Sequence, residues 1–160
     1  MSNGPNPEKA SMIVFSGDMD KVMAALIIAN GAAAFDIEVT MFFTFWGLKA
    51  IQKGNLTGKG VMGRMLGVMN RGGLKRIGPS RLNMGGMGRW MFKKMMKKRN
   101  VTPLPEMLRQ AQELGVKMIA CEMSMQVMEI GKEDLIDGIQ VGGVGSYLAV
   151  ASESKFSLFI

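Results

Sequence analysis

The chain has 160 residues, 48% of them hydrophobic and 21% charged, with a net charge of +7, one cysteine and no histidine. Its length suits one hydrophobic core rather than two, and its composition is that of a globular chain rather than a disordered one. Without an imidazole or a second thiol there is no intrachain disulfide and no Ser-His or Cys-His nucleophile pair, and the usual Cys and His ligands of a zinc site are lacking.

The opening ten residues, MSNGPNPEKA, are polar and read as no secretory signal. No apolar run approaches the roughly 20 residues that span a bilayer. A lone thiol with no disulfide framework fits a reducing cytoplasm. Residues 11–16, SMIVFS, form a short apolar run ending at Gly17-Asp18 and read as a buried strand. Asp18 is placed to cap a long, Ala- and Met-rich helix from Met19 to Ala34. Residues 37–45, IEVTMFFTF, are β-branched and aromatic and predict the second strand, with a helical turn over Leu48 to Gln52.

From Gly54 to Asn100 the composition changes. This insert holds eight methionines and twelve basic residues. Val39 to Pro105 carries fourteen Lys and Arg and no acid, whereas the rest of the chain has six basic and thirteen acidic residues. Short helices are expected at Val61–Met69 and Gly88–Lys98, separated by a Gly/Pro-rich link. Thr102-Pro103-Leu104-Pro105-Glu106 reads as the start of a helix, with Thr102 as its cap, that runs to Leu114 and stops at Gly115. Val116 to Ala120 predicts the third strand, and Cys121 follows it. A short helix over Glu122 to Met128 is next, then a turn at Lys132–Leu135 and a short strand at 139–141. Gly142-Gly143-Val144-Gly145 turns into a helix over Ser146–Ser152, and Phe156 to Ile160 is the last strand.

Strands alternating with helices predict parallel strands joined by right-handed crossovers. The fold class expected is α/β: a flavodoxin-like, three-layer sandwich on a mainly parallel five-stranded sheet, in the order 2-1-3-4-5. One domain, residues 1–160, carries the insert at about 54–100. Chemistry in such sheets gathers at the carboxyl ends of the strands. The loops there are Ser16-Gly17-Asp18, Thr44-Phe45-Trp46-Gly47, Cys121-Glu122 and Val141-Gly142-Gly143-Val144.

Cys121 is the candidate reactive atom. A thiol that opens a helix meets free N–H groups that favour its thiolate, although the neighbouring Glu122 opposes this. The competing reading is a small, inert core residue. Gly142 and Gly143 serve either a tight turn or an anion cradle, and Asp18 is explained by capping. In the insert, Arg89, Trp90, Lys93, Lys94, Lys97 and Lys98 lie in a basic amphipathic stretch. It could dock a partner or a membrane surface, or be a solvated face whose methionines pack between subunits. Charge alone would allow nucleic acid, but no nucleic-acid module is legible.

Three passages carry a resemblance: MIVFSGDMDKVMAALIIANGAAAFDIEVTMFFTFWGLKAI at 12–51, KMIACEMSMQVMEIGKEDLIDGIQVGGVGSYLAVA at 117–151, and the insert between them. Together they resemble the DsrE/DsrF-like family of small sulfur-relay proteins, in the subgroup with a long Met-rich basic insert before the cysteine strand. The resemblance implies a sulfurtransferase or sulfur carrier that holds a persulfide on Cys121; no cofactor and, from the composition, no metal is expected. It implies exchange with donor and acceptor proteins or small thiols, and a homo-oligomer, trimer or hexamer. By their place at the strand ends, rather than by the resemblance, Ser16, Gly17, Gly142 and Gly143 would shape the pocket, Phe45 and Trp46 wall it, and Asp18 and Glu122 tune it. The alternative is a non-catalytic scaffold that docks an acidic partner or a membrane surface through its insert.

Overall fold

A computed structural model describes residues 7–160; the polar stretch 1–6, part of the opening read above as no signal, lies outside them. The strands are β1 (Lys9–Val14), β2 (Glu38–Phe43), β3 (Lys117–Cys121), β4 (Gln140–Gly142) and β5 (Phe156–Phe159). The helices are α1 (Met19–Ala34), α2 (Val61–Met69), α3 (Met87–Lys98), α4 (Leu104–Glu113), α5 (Glu122–Val127) and α6 (Val144–Ala151). A 3-10 helix over Phe45–Ile51 replaces the turn expected at 48–52.

The five strands form one sheet whose paired neighbours all run parallel, as expected of an α/β fold. Its order, β4-β3-β2-β1-β5, differs from the expected 2-1-3-4-5. The reason lies in β2. After Glu38 every residue of β2 is buried, so the strand needs cover on both faces and a neighbour on both edges. An edge position would leave it half bare.

Register sets the two faces. Met12, Met41 and Met118 lie side by side, as do Ile13, Phe42 and Ile119. The first row, with Ala10, Val14, Phe43 and Ala120, joins Val22, Leu26 and Ala29 of α1 and Leu104, Leu108 and Ala111 of α4 in the main core. Burying each large side chain there contributes about 1.5–3 kcal/mol. The second row faces α6 and forms a smaller cluster of Phe42, Ile119, Cys121 and Tyr147. From β1 to β4 the chain steps across the sheet in one direction, and α1 and α4 lie on one face. β4 to β5 steps back, so a right-handed crossover puts α6 on the other face.

Two expected caps are placed differently. Asp18 occupies the N-cap position of α1, yet its carboxylate makes no cap bond and instead accepts from the Ser16 hydroxyl at 2.9 Å. The first-turn N–H of Met19 donates instead to the Gly78 carbonyl, at 2.8 Å. α4 begins at Leu104 with Pro103 as its cap, not Thr102, because both Glu106 N–H and Met107 N–H donate to the Pro103 carbonyl.

The insert is tied to the body largely through backbone groups. Leu74 and Ile77 enter the main core. The Asp20 carboxylate accepts from Ser80 N–H at 2.8 Å and from its hydroxyl at 2.7 Å. Glu129 Oε2 accepts from Lys59 N–H at 2.7 Å and Gly60 N–H at 3.2 Å, which holds the start of α2.

Candidate functional site

β3 ends at Cys121 and its chain leaves through α5, which packs on the 3-10 helix and sends Met125 into the main core. β4 ends at Gly142 and its chain leaves through α6, on the opposite face. The two strands are neighbours, and Cys121 pairs in register with Gly142. Adjacent strands whose connections diverge to opposite faces make the crevice where open α/β sheets bind ligands. The chain's one thiol stands at that point.

Cys121 is 4% exposed and rests against Phe42, Ile119 and Tyr147. Tyr147 is buried, its ring 5.3 Å from that of Phe42. On the polar side stand two hydroxyls. Phe43 pairs with Ala120, so the next residue of β2's strand end, Thr44, falls beside Cys121. Ser124 is fully buried three residues into the turn that Cys121 opens, and its hydroxyl lies 2.8 Å from that of Thr44.

Burial acts to push the Cys121 thiol up, but the Ser124 hydroxyl and N–H, the Thr44 hydroxyl and the Met123 N–H favour the anion. The net result is a thiol held below the ordinary cysteine range. Donors of this kind stabilise a thiolate more than a thiol. The site can therefore present a nucleophilic sulfur in a nearly closed, half-apolar setting.

The other expected pocket residues divide between two places. Ser16, Gly17, Asp18 and Trp46 line one cleft of about 250 Å³ together with Lys49 and Asn70. That cleft lies at the ends of β1 and β2, whereas Cys121 ends β3. Two strand spacings separate β1 from β3, roughly 10 Å. Phe45 does not line this cleft; its ring stands 5.8 Å from Phe15, which in turn lies 5.7 Å from Phe159. Glu122 is exposed. Gly142 sits between Ile119 and Ser146, where an added Cβ would come within 3.2 Å of both, and Gly143 caps α6 in open space.

Sequence reasoning put Thr44 in a strand-end loop without giving it a role, and missed Ser124, Tyr147 and Lys49. The Cys-x-x-Ser spacing at 121–124 was a usable signal for Ser124, and Thr44 is the first polar residue after an apolar strand. Lys49 is partly buried, which lowers its ammonium's affinity for the proton, while Asp18 raises it.

Within the insert, α3 turns part of its basic side onto the segment at Lys75 and Arg76. Arg89 donates to the Arg76 carbonyl, and Lys93 to the Lys75 carbonyl at 2.8 Å. Met87, Trp90, Met91 and Met95 are left exposed, Trp90 by 63%, with the Lys94 ammonium 5.1 Å from the Trp90 ring. Lys98 is exposed beside them, and Lys97 joins Lys93 along a separate cleft. Among the described residues no cluster of His, Cys, Asp and Glu could hold a metal ion, and no helix is long and apolar enough to cross a membrane.

A family model described as DsrE/DsrF/DrsH-like matches residues 6–159. The chain is 47% identical over 155 residues to the uncharacterised YrkE of Bacillus subtilis (strain 168), covering 96% of this chain and 97% of that one. It is 32% identical over 156 residues to the sulfur carrier protein DsrE2 of Allochromatium vinosum, covering 96% and 98%. Among solved structures, it matches the ychN protein from E. coli with a TM-score of 0.57 at 11% identity, over 96% of this chain and 99% of that one. It matches MTH1491 from Methanobacterium thermoautotrophicum with a TM-score of 0.53 at 11% identity, over 94% and 98%. These two likenesses bear on the fold alone.

Proposed function

This chain belongs to the DsrE/DsrF/DrsH-like family, and from that premise we propose that it is a sulfur carrier that holds sulfane sulfur as a persulfide on Cys121. The observation that carries this reading is the setting of Cys121. A single thiol stands at the sheet's switch point, ringed by four donors that favour its anion.

The chemistry balances without a cofactor. Deprotonated Cys121 attacks the outer sulfur of a donor persulfide. One S–S bond forms as another breaks, and the donor leaves as a thiolate that takes up a proton. An acceptor thiolate then attacks the outer sulfur on Cys121 and returns the Cys121 thiolate. There is no net oxidation in either step. Thr44, Ser124 and the two N–H groups hold the charge on Cys121, and Tyr147 with Phe42 limits water. With no second cysteine in the chain, transfer runs between this protein and another thiol.

The test is intact mass after incubation with a sulfane-sulfur donor. One added sulfur is expected on the parent chain, removable by reductant and absent from Cys121→Ser. Addition to Cys121→Ser, or none to a parent whose thiol also resists a small alkylating agent, would remove the carrier reading.

The same reading sets a second copy of this chain against the α6 face, where Val144, Leu148 and Phe159 are exposed beside the cysteine cluster. A homo-oligomer would cover them and narrow access to Cys121.

The outward apolar side of α3 favours a second role, peripheral docking on an anionic surface. Exposed methionines and a tryptophan interleaved with lysines, in a stretch of chain with no acid, suit the boundary of an anionic bilayer. The protein is expected to co-sediment with vesicles containing phosphatidylserine and not with phosphatidylcholine vesicles, and Trp90→Ser with Met91→Ser should abolish this. Equal sedimentation with both vesicle types, or with neither, would sink bilayer docking and leave an acidic protein partner as the occupant.

A further inference from the structure

A large cleft lies away from Cys121, between α3, the segment at Leu74 and Lys75, and the start of α4. Its volume is about 870 Å³, within the range of small-ligand pockets and too small for a folded partner. Leu74, Met96, Val101 and Leu104 give it an apolar lining, and Lys75, Lys93 and Lys97 supply three ammonium groups.

Those charges are uncompensated. Among the described residues no carboxylate lies within ion-pair distance of any of the three. Glu106, the acid in the lining, is engaged with Arg109 through both of its oxygens. Lys93 gives one hydrogen to the Lys75 carbonyl and keeps two free. Burial disfavours its charge, and Arg89 and Lys75 add repulsion. Gathering three cations at the wall of an apolar hollow is unfavourable in the empty protein, and an anion placed among them reverses the sign. The apolar lining requires that the anion carry a chain.

We propose that this cleft binds an amphipathic anion, its head between Lys93 and Lys97 and its apolar chain over Leu74, Met96 and Leu104. The site is independent of persulfide chemistry at Cys121 and of the outer face of α3. An anionic head on a single unbranched chain is the ligand class, with the lysines selecting the sign of the head and the lining selecting the chain.

Isothermal titration with dodecanoate, kept below its micelle concentration, tests this on the full chain. One dodecanoate per chain is expected, at least tenfold tighter than dodecyltrimethylammonium, and acetate should give no heat of binding. Lys93→Gln with Lys97→Gln should weaken dodecanoate at least tenfold. Val101→Asp, which adds a negative charge at the half-exposed mouth, should weaken it as much, while Lys94→Gln on the outer face should leave it unchanged. Circular dichroism and melting verify that each variant folds. Equal binding of the cationic amphiphile, non-saturating uptake, or an equal loss in Lys94→Gln would overturn the site. So would undiminished binding in the Lys93/Lys97 variant. None of these outcomes bears on sulfur loading at Cys121, so the two readings fail separately.

Discussion

Gly47→Ala is expected to destabilise the protein by about 3 kcal/mol, the upper end of the usual cost of forcing extra volume into a packed site. A Cβ at Gly47 would stand 1.9 Å from the carbonyl oxygen of Val14. That oxygen belongs to the end of a central strand and already accepts from Thr44 N–H at 3.1 Å. It cannot swing aside as a side chain could. Gly47 N–H also donates to the carbonyls of Phe15, at 2.8 Å, and Thr44, at 2.9 Å. The close approach therefore ties the 3-10 helix to the ends of β1 and β2 and fixes Thr44 beside Cys121. Thermal unfolding should fall by roughly 6–12 °C for a chain of this length. Thiol reactivity of Cys121 should fall with it, because Thr44 loses its anchor. Gly31→Ala is the control. It lies in α1 with nothing within 4 Å of the added Cβ, and should stabilise by about 0.5–1 kcal/mol through helix propensity. A Gly47→Ala variant as stable as the parent would mean that β1 and the 3-10 helix are not held at this contact.

The contrast between these two glycines bears on what could be read from sequence. Local periodicity and composition were enough to anticipate α1 and α2 to the residue, the strand before Cys121, and the helix after Gly142-Gly143. They also point to Cys121, because a lone thiol at a strand end is a local feature. What was missed depends on pairings between distant segments. Strand order is one case. The β-branched and aromatic run of β2 marks it as a strand, but not which strands flank it. Thr44 and Ser124 are another. They are 80 residues apart and meet only because β2 and β3 pair in the register that sets Phe43 beside Ala120. The start of α1 is a third case: the Met19 N–H finds its acceptor in the carbonyl of Gly78, far along the chain. In α3 the amphipathic period is plain, yet only the carbonyls of Lys75 and Arg76 decide that Arg89 and Lys93 turn inward, onto the insert's own segment there.

The Thr44–Ser124 pair leads to the second large effect. Thr44→Val together with Ser124→Ala removes both hydroxyls that favour the Cys121 thiolate and leaves the two N–H groups in place. Removing both partners of one hydrogen bond leaves no hydroxyl unpaired, so stability should change little. A hydrogen bond to a charged group contributes about 1.5–3 kcal/mol, and 1.4 kcal/mol is a factor of ten in an equilibrium. The thiolate fraction at neutral pH should therefore drop by roughly a hundredfold for the pair. Part of that loss returns, because a thiolate of higher proton affinity is the stronger nucleophile, with a Brønsted coefficient of about 0.4–0.5. Alkylation by a small reagent such as iodoacetamide should thus be about tenfold slower than in the parent near neutral pH. In strongly alkaline solution, where both proteins are thiolate, the variant should be the faster of the two. The sign follows from the direction of the shift: donors that hold the thiol below the ordinary range extend thiolate to lower pH, and their removal moves the rise in rate to higher pH. Two rate-against-pH curves that cross are the signature of hydroxyls acting on the charge of Cys121. A uniform change at every pH would instead mean that Thr44 and Ser124 only control access to a buried sulfur, and curves that coincide would remove both residues from the site.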